Sequence, residues 1–136
     1  MRVSNAAVCT QVEQTHATIN LKGVFSEIVQ DPIPTNISCH LVIGLVREAD
    51  EQAGAPRRLR VDLVNKDTDR FVRIGEGPAA VPQLTSALIV KIGNLPLDGE
   101  GAYNVRVIDV TDPQQPIPLI EERPVFVVKL RSPVLA

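Results

Sequence analysis

The stretch Leu84–Val107 reads LTSALIVKIGNLPLDGEGAYNVRV. Leu84, Ser86, Leu88, Val90 and Ile92 fall on one side of an extended chain, because successive side chains of a strand point to opposite faces. Pro96-Leu97-Asp98-Gly99-Glu100-Gly101 then breaks the run with residues suited to turns. Tyr103, Val105 and Val107 resume the alternation. Two short apolar runs around a Gly/Pro-rich gap describe consecutive β-strands rather than a helix.

The same rhythm extends in both directions. Eleven prolines and eight glycines fall mostly between short apolar runs. Val3–Val12 reads as a strand. Glu13-Gln14-Thr15-His16 reads as a hairpin turn, and Ala17, Ile19, Leu21 and Gly23 alternate with Thr18, Asn20 and Lys22. The chain then continues or bends at Gly23 toward Val29, and Asp31-Pro32-Ile33-Pro34 stops it. Ile37, Cys39, Leu41, Ile43 and Leu45 share one face of the next run. Glu48–Ala53 can form one helical turn. Leu59, Val61 and Leu63 alternate with Arg58, Arg60 and Asp62 in a half-exposed strand. Asn65–Asp69 turns the chain into Phe71–Ile74, and Gly75–Pro82 reads as a loose loop. Thr111–Pro118 is a Pro-rich connection, and Val125–Leu130 closes the domain. Roughly eight or nine strands at this spacing predict an antiparallel β-sandwich, since each half-buried sheet face must cover another. Gly101-Ala102-Tyr103 at a strand start matches a tyrosine corner, in which the hydroxyl bonds back to the preceding loop and pins a Greek-key crossing. The expected fold is therefore all-β: one immunoglobulin-like Greek-key sandwich over residues 1–131, with a tail at 132–136.

Bulk properties bound the function. The chain has 136 residues, enough for one domain with a substantial core. Its 44% hydrophobic and 22% charged residues are ordinary globular composition. A net charge of −2 argues against a general nucleic-acid binder, and 3% aromatic residues leave few stacking platforms. No secretory signal or membrane span is read, so the expected compartment is the cytoplasm. Cys9 and Cys39 are then expected as buried free thiols.

Candidate chemistry is sparse. Cys9, Cys39, His16 and His40 are zinc-ligating types. However, neighbours on a strand face opposite ways, so Cys39 and His40 cannot converge. No serine sits in a nucleophile elbow, and the apolar setting of Cys9 is wrong for an activated thiolate with His16. No cofactor site is read, and the chain is expected not to be an enzyme. Asp67, Asp69, Asp109 and Asp112 lie at expected strand ends. Gathered at one end of the sandwich they could hold calcium, although Asp also suits turns for its bonds to the local backbone. Arg57, Arg58 and Arg60 form a small basic patch. Gly75-Glu76-Gly77 lacks the third glycine and the strand–helix setting of a phosphate loop.

Some runs are apolar on both faces: Leu41-Val42-Ile43, Leu88-Ile89-Val90 and Val125–Val128. Their outward members, with Ile117, Leu119 and Ile120 among prolines, are candidates for contact with a partner or a second copy. Val42, Ile89, Ile117, Leu119 and Ile120 are the interaction candidates; Gly101 and Tyr103 are the structural ones.

The opening Arg2–Cys9, then Ile19-Asn20-Leu21-Lys22-Gly23-Val24-Phe25 with Ile28, resembles a bacterial family of single-domain β-sandwich proteins of unknown function. Pro32 and Pro34 before a strand, the Gly101-x-Tyr103 turn and Pro124-Val125-Phe126-Val127 extend the resemblance to about Leu130. It implies a cytoplasmic sandwich and assigns no functional residue. Such families carry an Asp-Gly hairpin in mid-domain, where this chain has Lys66-Asp67-Thr68-Asp69. The leading expectation is a non-enzymatic interaction or assembly module binding protein or itself, with neither nucleic acid nor membrane as partner. A calcium- or ligand-binding sandwich and a structural component of a viral or bacterial particle are the alternatives.

Overall fold

The computed structural model describes residues 1–15, 18–30, 37–95, 97, 99–120 and 122–130. The stop at 31–34, His16 of the expected hairpin turn and the tail at 132–136 lie outside the described residues. The fold is all-β, and the described residues form ten strands: β1 (Arg2–Gln14), β2 (Ile19–Phe25), β3 (Glu27–Gln30), β4 (Cys39–Val46), β5 (Arg57–Asn65), β6 (Arg70–Ala79), β7 (Thr85–Ile92), β8 (Gly101–Asp109), β9 (Ile117–Pro118) and β10 (Arg123–Leu130). They form two sheets. The first has the order β2-β1-β4-β7; the second has the order β3-β10-β8-β5-β6, with β9 beside β8.

The alternation read in the sequence sets which side chains enter the core. Along β4, Cys39, Leu41, Ile43 and Leu45 are buried while the residues between them are half-buried. They meet Leu59, Val61, Leu63, Tyr103, Val105, Val107, Phe126 and Val128 of the second sheet in one apolar cluster. Burying each such side chain contributes roughly 1.5–3 kcal/mol. Tyr103 and Phe126 stack with ring centroids 5.0 Å apart.

Several local expectations change. Gly75–Ala79 is not a loop but the second half of β6, paired with β5 through Val61↔Gly75 and Leu59↔Gly77. Glycine is depleted in strands and brings no side chain to an alternating pattern, so Gly75 and Gly77 gave no strand signal. The sandwich is not purely antiparallel: β3 runs parallel to β10. The chain leaves the first sheet after Phe25 and crosses to the edge of the second, where Val127 N–H donates to the Ser26 carbonyl. A chain that changes sheets need not return antiparallel, as a hairpin must. Asp62, placed on a half-exposed face, is fully buried. In the 48–53 segment, Glu51 N–H donates to Glu48 O, a single turn. The β5–β6 hairpin manages without glycine because Asp69 takes a left-handed conformation at φ 61°, which Asp tolerates better than most residues.

Candidate interaction surface

The second sheet carries a charged network on the face turned away from the core. Val61, Leu63, Val105 and Val107 point inward, so Asp62 and Arg106, paired across β5 and β8, point outward. Asp62 Oδ2 accepts from Arg60 Nη2 at 3.0 Å and from Arg106 Nε and Nη2 at 3.2 and 2.9 Å. Arg106 also reaches Glu122 at 3.7 Å, and Glu122 pairs with Lys66 at 3.1 Å. The guanidinium of Arg106 lies 4.6 Å from the ring centroid of Phe71, a distance at which cation and ring face attract. Phe71 is 54% exposed. Beside this pair, Lys66, Arg106, Pro118, Ile120 and Glu122 line a depression of about 410 Å³. Sequence reading missed this site, because an Arg-x-Asp strand pattern looks the same whether its carboxylate is solvated or capped by arginines.

A second feature is an open cleft of about 280 Å³ between the sheets, lined by Leu59, Val61, Gly75–Pro78 and Leu88–Lys91. Val61 and Leu59 pair with Gly75 and Gly77, so both glycines lie at core-facing positions of β6.

The interaction candidates separate into two places. Val42 and Ile89 stand directly opposite each other on β4 and β7, both half-buried on the outer face of the first sheet. Ile117 is exposed on β9, and Leu119 and Ile120 follow it half-buried. The basic patch is neutralised residue by residue. Arg57 pairs with Glu51 and Asp109, Arg58 with Glu76, and Arg60 with Asp62.

The calcium candidates are not brought together. Asp67 and Asp69 lie at the β5–β6 hairpin, beside Gly101, while Asp109 ends β8 and Asp112 follows it. The nine residues of β8 put these ends about 26 Å apart at ~3.3 Å per residue. Asp109 already binds Arg57 and accepts from Thr111 N–H, and Asp112 Oδ1 accepts from Gln114 N–H. This is turn chemistry, which is why Asp recurs at these strand ends. Among the described residues no group of three or more His, Cys, Asp or Glu is placed to hold a metal.

Cys9 and Cys39 are both buried and unbridged. Cys9 pairs with His40, one residue out of phase with Cys39, so the thiols face opposite sides of neighbouring strands. Burial raises both thiols above their ordinary value, with the neighbouring Cys9 adding to the effect at Cys39. His16 lies outside the described residues.

At the Gly101–Tyr103 turn, the Tyr103 hydroxyl donates to Gly99 O at 2.7 Å. Asn65 Nδ2 donates to Tyr103 OH at 3.2 Å and to Glu100 O at 3.3 Å. Gly101 has φ +137°, and a Cβ there would lie 2.7 Å from Asn65 Oδ1 and from Asp67 Oδ2, so no other residue fits without displacement.

Fold and surface together define a small all-β domain with two packed sheets and a charged, aromatic-bearing outer face. The chain belongs to the family of unknown function DUF6941, whose model matches residues 4–120. The match ends before β10, although β10 pairs with β8 and completes the second sheet. Neither the curated proteins nor the solved structures contain a match. No helix is long and apolar enough to cross a membrane among the described residues.

Proposed function

We propose that this protein is a non-enzymatic interaction module of the cytoplasm that binds another protein through the outer face of its second sheet. The observation that carries the reading is the Phe71–Arg106 pair. An exposed ring is stacked on a guanidinium that the buried Asp62 holds from behind. Phe and Arg are enriched at protein contacts, Arg also among the residues that dominate their energy, and a side chain already fixed in place loses less entropy on association. Single exposed aliphatic side chains such as Val24 are normal on any surface and carry no weight here. The two thiols, unable to bridge, suit a reducing compartment.

The test is affinity capture from the organism that encodes the protein, comparing wild type with Phe71→Ala and Arg106→Ala. A partner retained by wild type and lost by both folded variants is the expected result. Capture that is indifferent to both substitutions overturns the assignment of the face.

A further inference from the structure

We propose that two copies of this chain pair through their β7 edges, joining their first sheets into one continuous sheet. The β7 edge is a second surface, apart from the Phe71 face.

A sheet edge offers unpaired N–H and C=O groups to any extended chain, and proteins blunt such edges with short strands, charges, prolines and bulges. Among the described residues, the outer strands other than β7 are blunted, β9 by being only Ile117–Pro118. β2 carries Lys22 and a left-handed Gly23 at φ +65°. β3 is four residues long and begins with Glu27. β6 carries Arg70, Arg73, Glu76 and Pro78, with a register shift against β5 between Val61 and Asp62. β7 is different. Its eight residues, TSALIVKI, include no proline or glycine and only one charge, Lys91. It pairs with β4 without a register shift from Cys39↔Ile92 to Val46↔Thr85. It is the last strand of its sheet, with an intact outer edge.

The cleft beside β7 supplies the second observation. Gly75 and Gly77 have no local reason to be glycine. Neither takes a left-handed φ, and a Cβ at either would meet nothing within 4 Å. Glycine inside a strand weakens it, and often marks a place where another chain approaches closely. Here the two missing side chains hold the cleft open against Leu88–Lys91.

A second copy of β7 fits this edge. Opposed residues must share a face, so a two-fold axis passes through a residue, and within the Leu88–Lys91 span of the cleft it is placed at Ile89. Ile89 then faces its twin across a two-fold axis, Leu88 faces the twin's Val90, and Ala87 faces the twin's Lys91. Directly opposed residues of antiparallel strands share a face. Leu88 and Val90 pack against the core and pair with Ile43 and Leu41, so in the dimer they close the two clefts from both sides. On the outer face Val42 and Ile89 continue into their twins as one apolar row. The lone charge meets a neutral residue, so no like charges oppose. An edge contact of eight residues a side falls at the small end of interfaces, so a weak, concentration-dependent dimer is expected.

Sedimentation equilibrium across about 1–300 μM tests this, with a monomer–dimer equilibrium expected. Ile89→Lys sets two ammonium groups against each other on the axis, where like charges repel; dissociation should rise at least a hundredfold with the circular dichroism unchanged. Gly75→Val with Gly77→Val fills the cleft in open space, and should weaken pairing without lowering the melting temperature. Ile89→Cys should cross-link on mild oxidation, whereas Val24→Cys on β2 should not. A monomer at 300 μM, a dimer that survives Ile89→Lys, or cross-linking through Val24→Cys overturns the proposal. Phe71→Ala leaves the dimer intact, so loss of this proposal and loss of the partner-face reading are separate results.

Discussion

Removing the Asp62 carboxylate should destabilise the protein by about 2–3 kcal/mol. Asp62 is fully buried and receives three N–H groups from Arg60 and Arg106. Breaking a buried ion pair by deleting one partner costs roughly 3–5 kcal/mol, because the remaining charge is left unpaired. Here Arg60 and Arg106 are 24% and 26% exposed and can turn partly to water, which brings the figure down. Asp62→Leu strands both guanidinium groups; Asp62→Asn keeps the shape and an acceptor and should lose about half as much. Unfolding entropy of about 2.1 cal/mol/K per residue gives a chain of 136 residues about 3.5 °C per kcal/mol, so Asp62→Leu should melt about 7–10 °C lower. Urea titration of wild type, both variants, Arg106→Ala and the Asp62→Leu/Arg106→Ala double variant closes the cycle. The coupling should exceed about 1 kcal/mol, as pairs in one network do. If Asp62→Leu is as stable as wild type, the carboxylate's desolvation cancels what the arginines return. The idea that Asp62 holds Arg106 in place for contact would then lose its energetic basis.

Three other outcomes follow from single groups. Tyr103→Phe removes the hydroxyl between Gly99 O and Asn65 Nδ2, and should cost about 1–2 kcal/mol in urea unfolding, with a larger share seen if Asn65 is left unsatisfied. Asp69→Gly relieves a left-handed φ of 61°, and should stabilise by about 0.5 kcal/mol once glycine's greater unfolded freedom is subtracted; a loss of stability would show that the Asp side chain itself holds the turn. The thiols of Cys9 and Cys39 are raised by burial, so the folded state keeps its protons where the unfolded state releases them. That contribution is complete below the unfolded thiol value of ~8.5 and is lost as pH rises through the folded values. Stability should therefore fall above about pH 8.5, less so in Cys9→Ala/Cys39→Ala, and both thiols should resist alkylation until the protein unfolds.

Strand positions were legible wherever one face is buried. The Cys39–Leu45 and Leu59–Leu63 alternations name core residues that do meet across the sheets, because period-two burial leaves a mark in composition. The Gly101–Tyr103 turn was legible for a different reason: a crowded φ of +137° admits only glycine, and Tyr103 reaches back four residues to Gly99. The parallel β3–β10 pair was not legible, since pairing across sheets is set by the path of the chain after Phe25 and not by any local pattern. The separation of Asp67 and Asp69 from Asp109 and Asp112 was not legible for the same reason. Each Asp obeys local turn chemistry, and local chemistry does not say which end of a strand ladder it occupies. Asp62 and Asn65 are buried polar residues that meet Arg106 and Tyr103 of β8, so their roles were hidden in a pattern that reads as solvated.

Glycine shows how one residue type can carry two meanings. Gly23, Gly99 and Gly101 sit at positive φ, where a side chain is strained, and the fold explains them. Gly75 and Gly77 sit in extended strand with open space where a side chain would go. In sequence, Gly75-Glu76-Gly77 and Gly99-Glu100-Gly101 have the same spacing and the same central residue. Only the backbone angle and the neighbours separate a glycine that the turn demands from one that the fold merely allows. A residue that weakens its strand and relieves no strain is a cost to the monomer. A chain that carries two of them on the core side of one strand, beside the β7 edge, places that cost where an incoming strand would recover it.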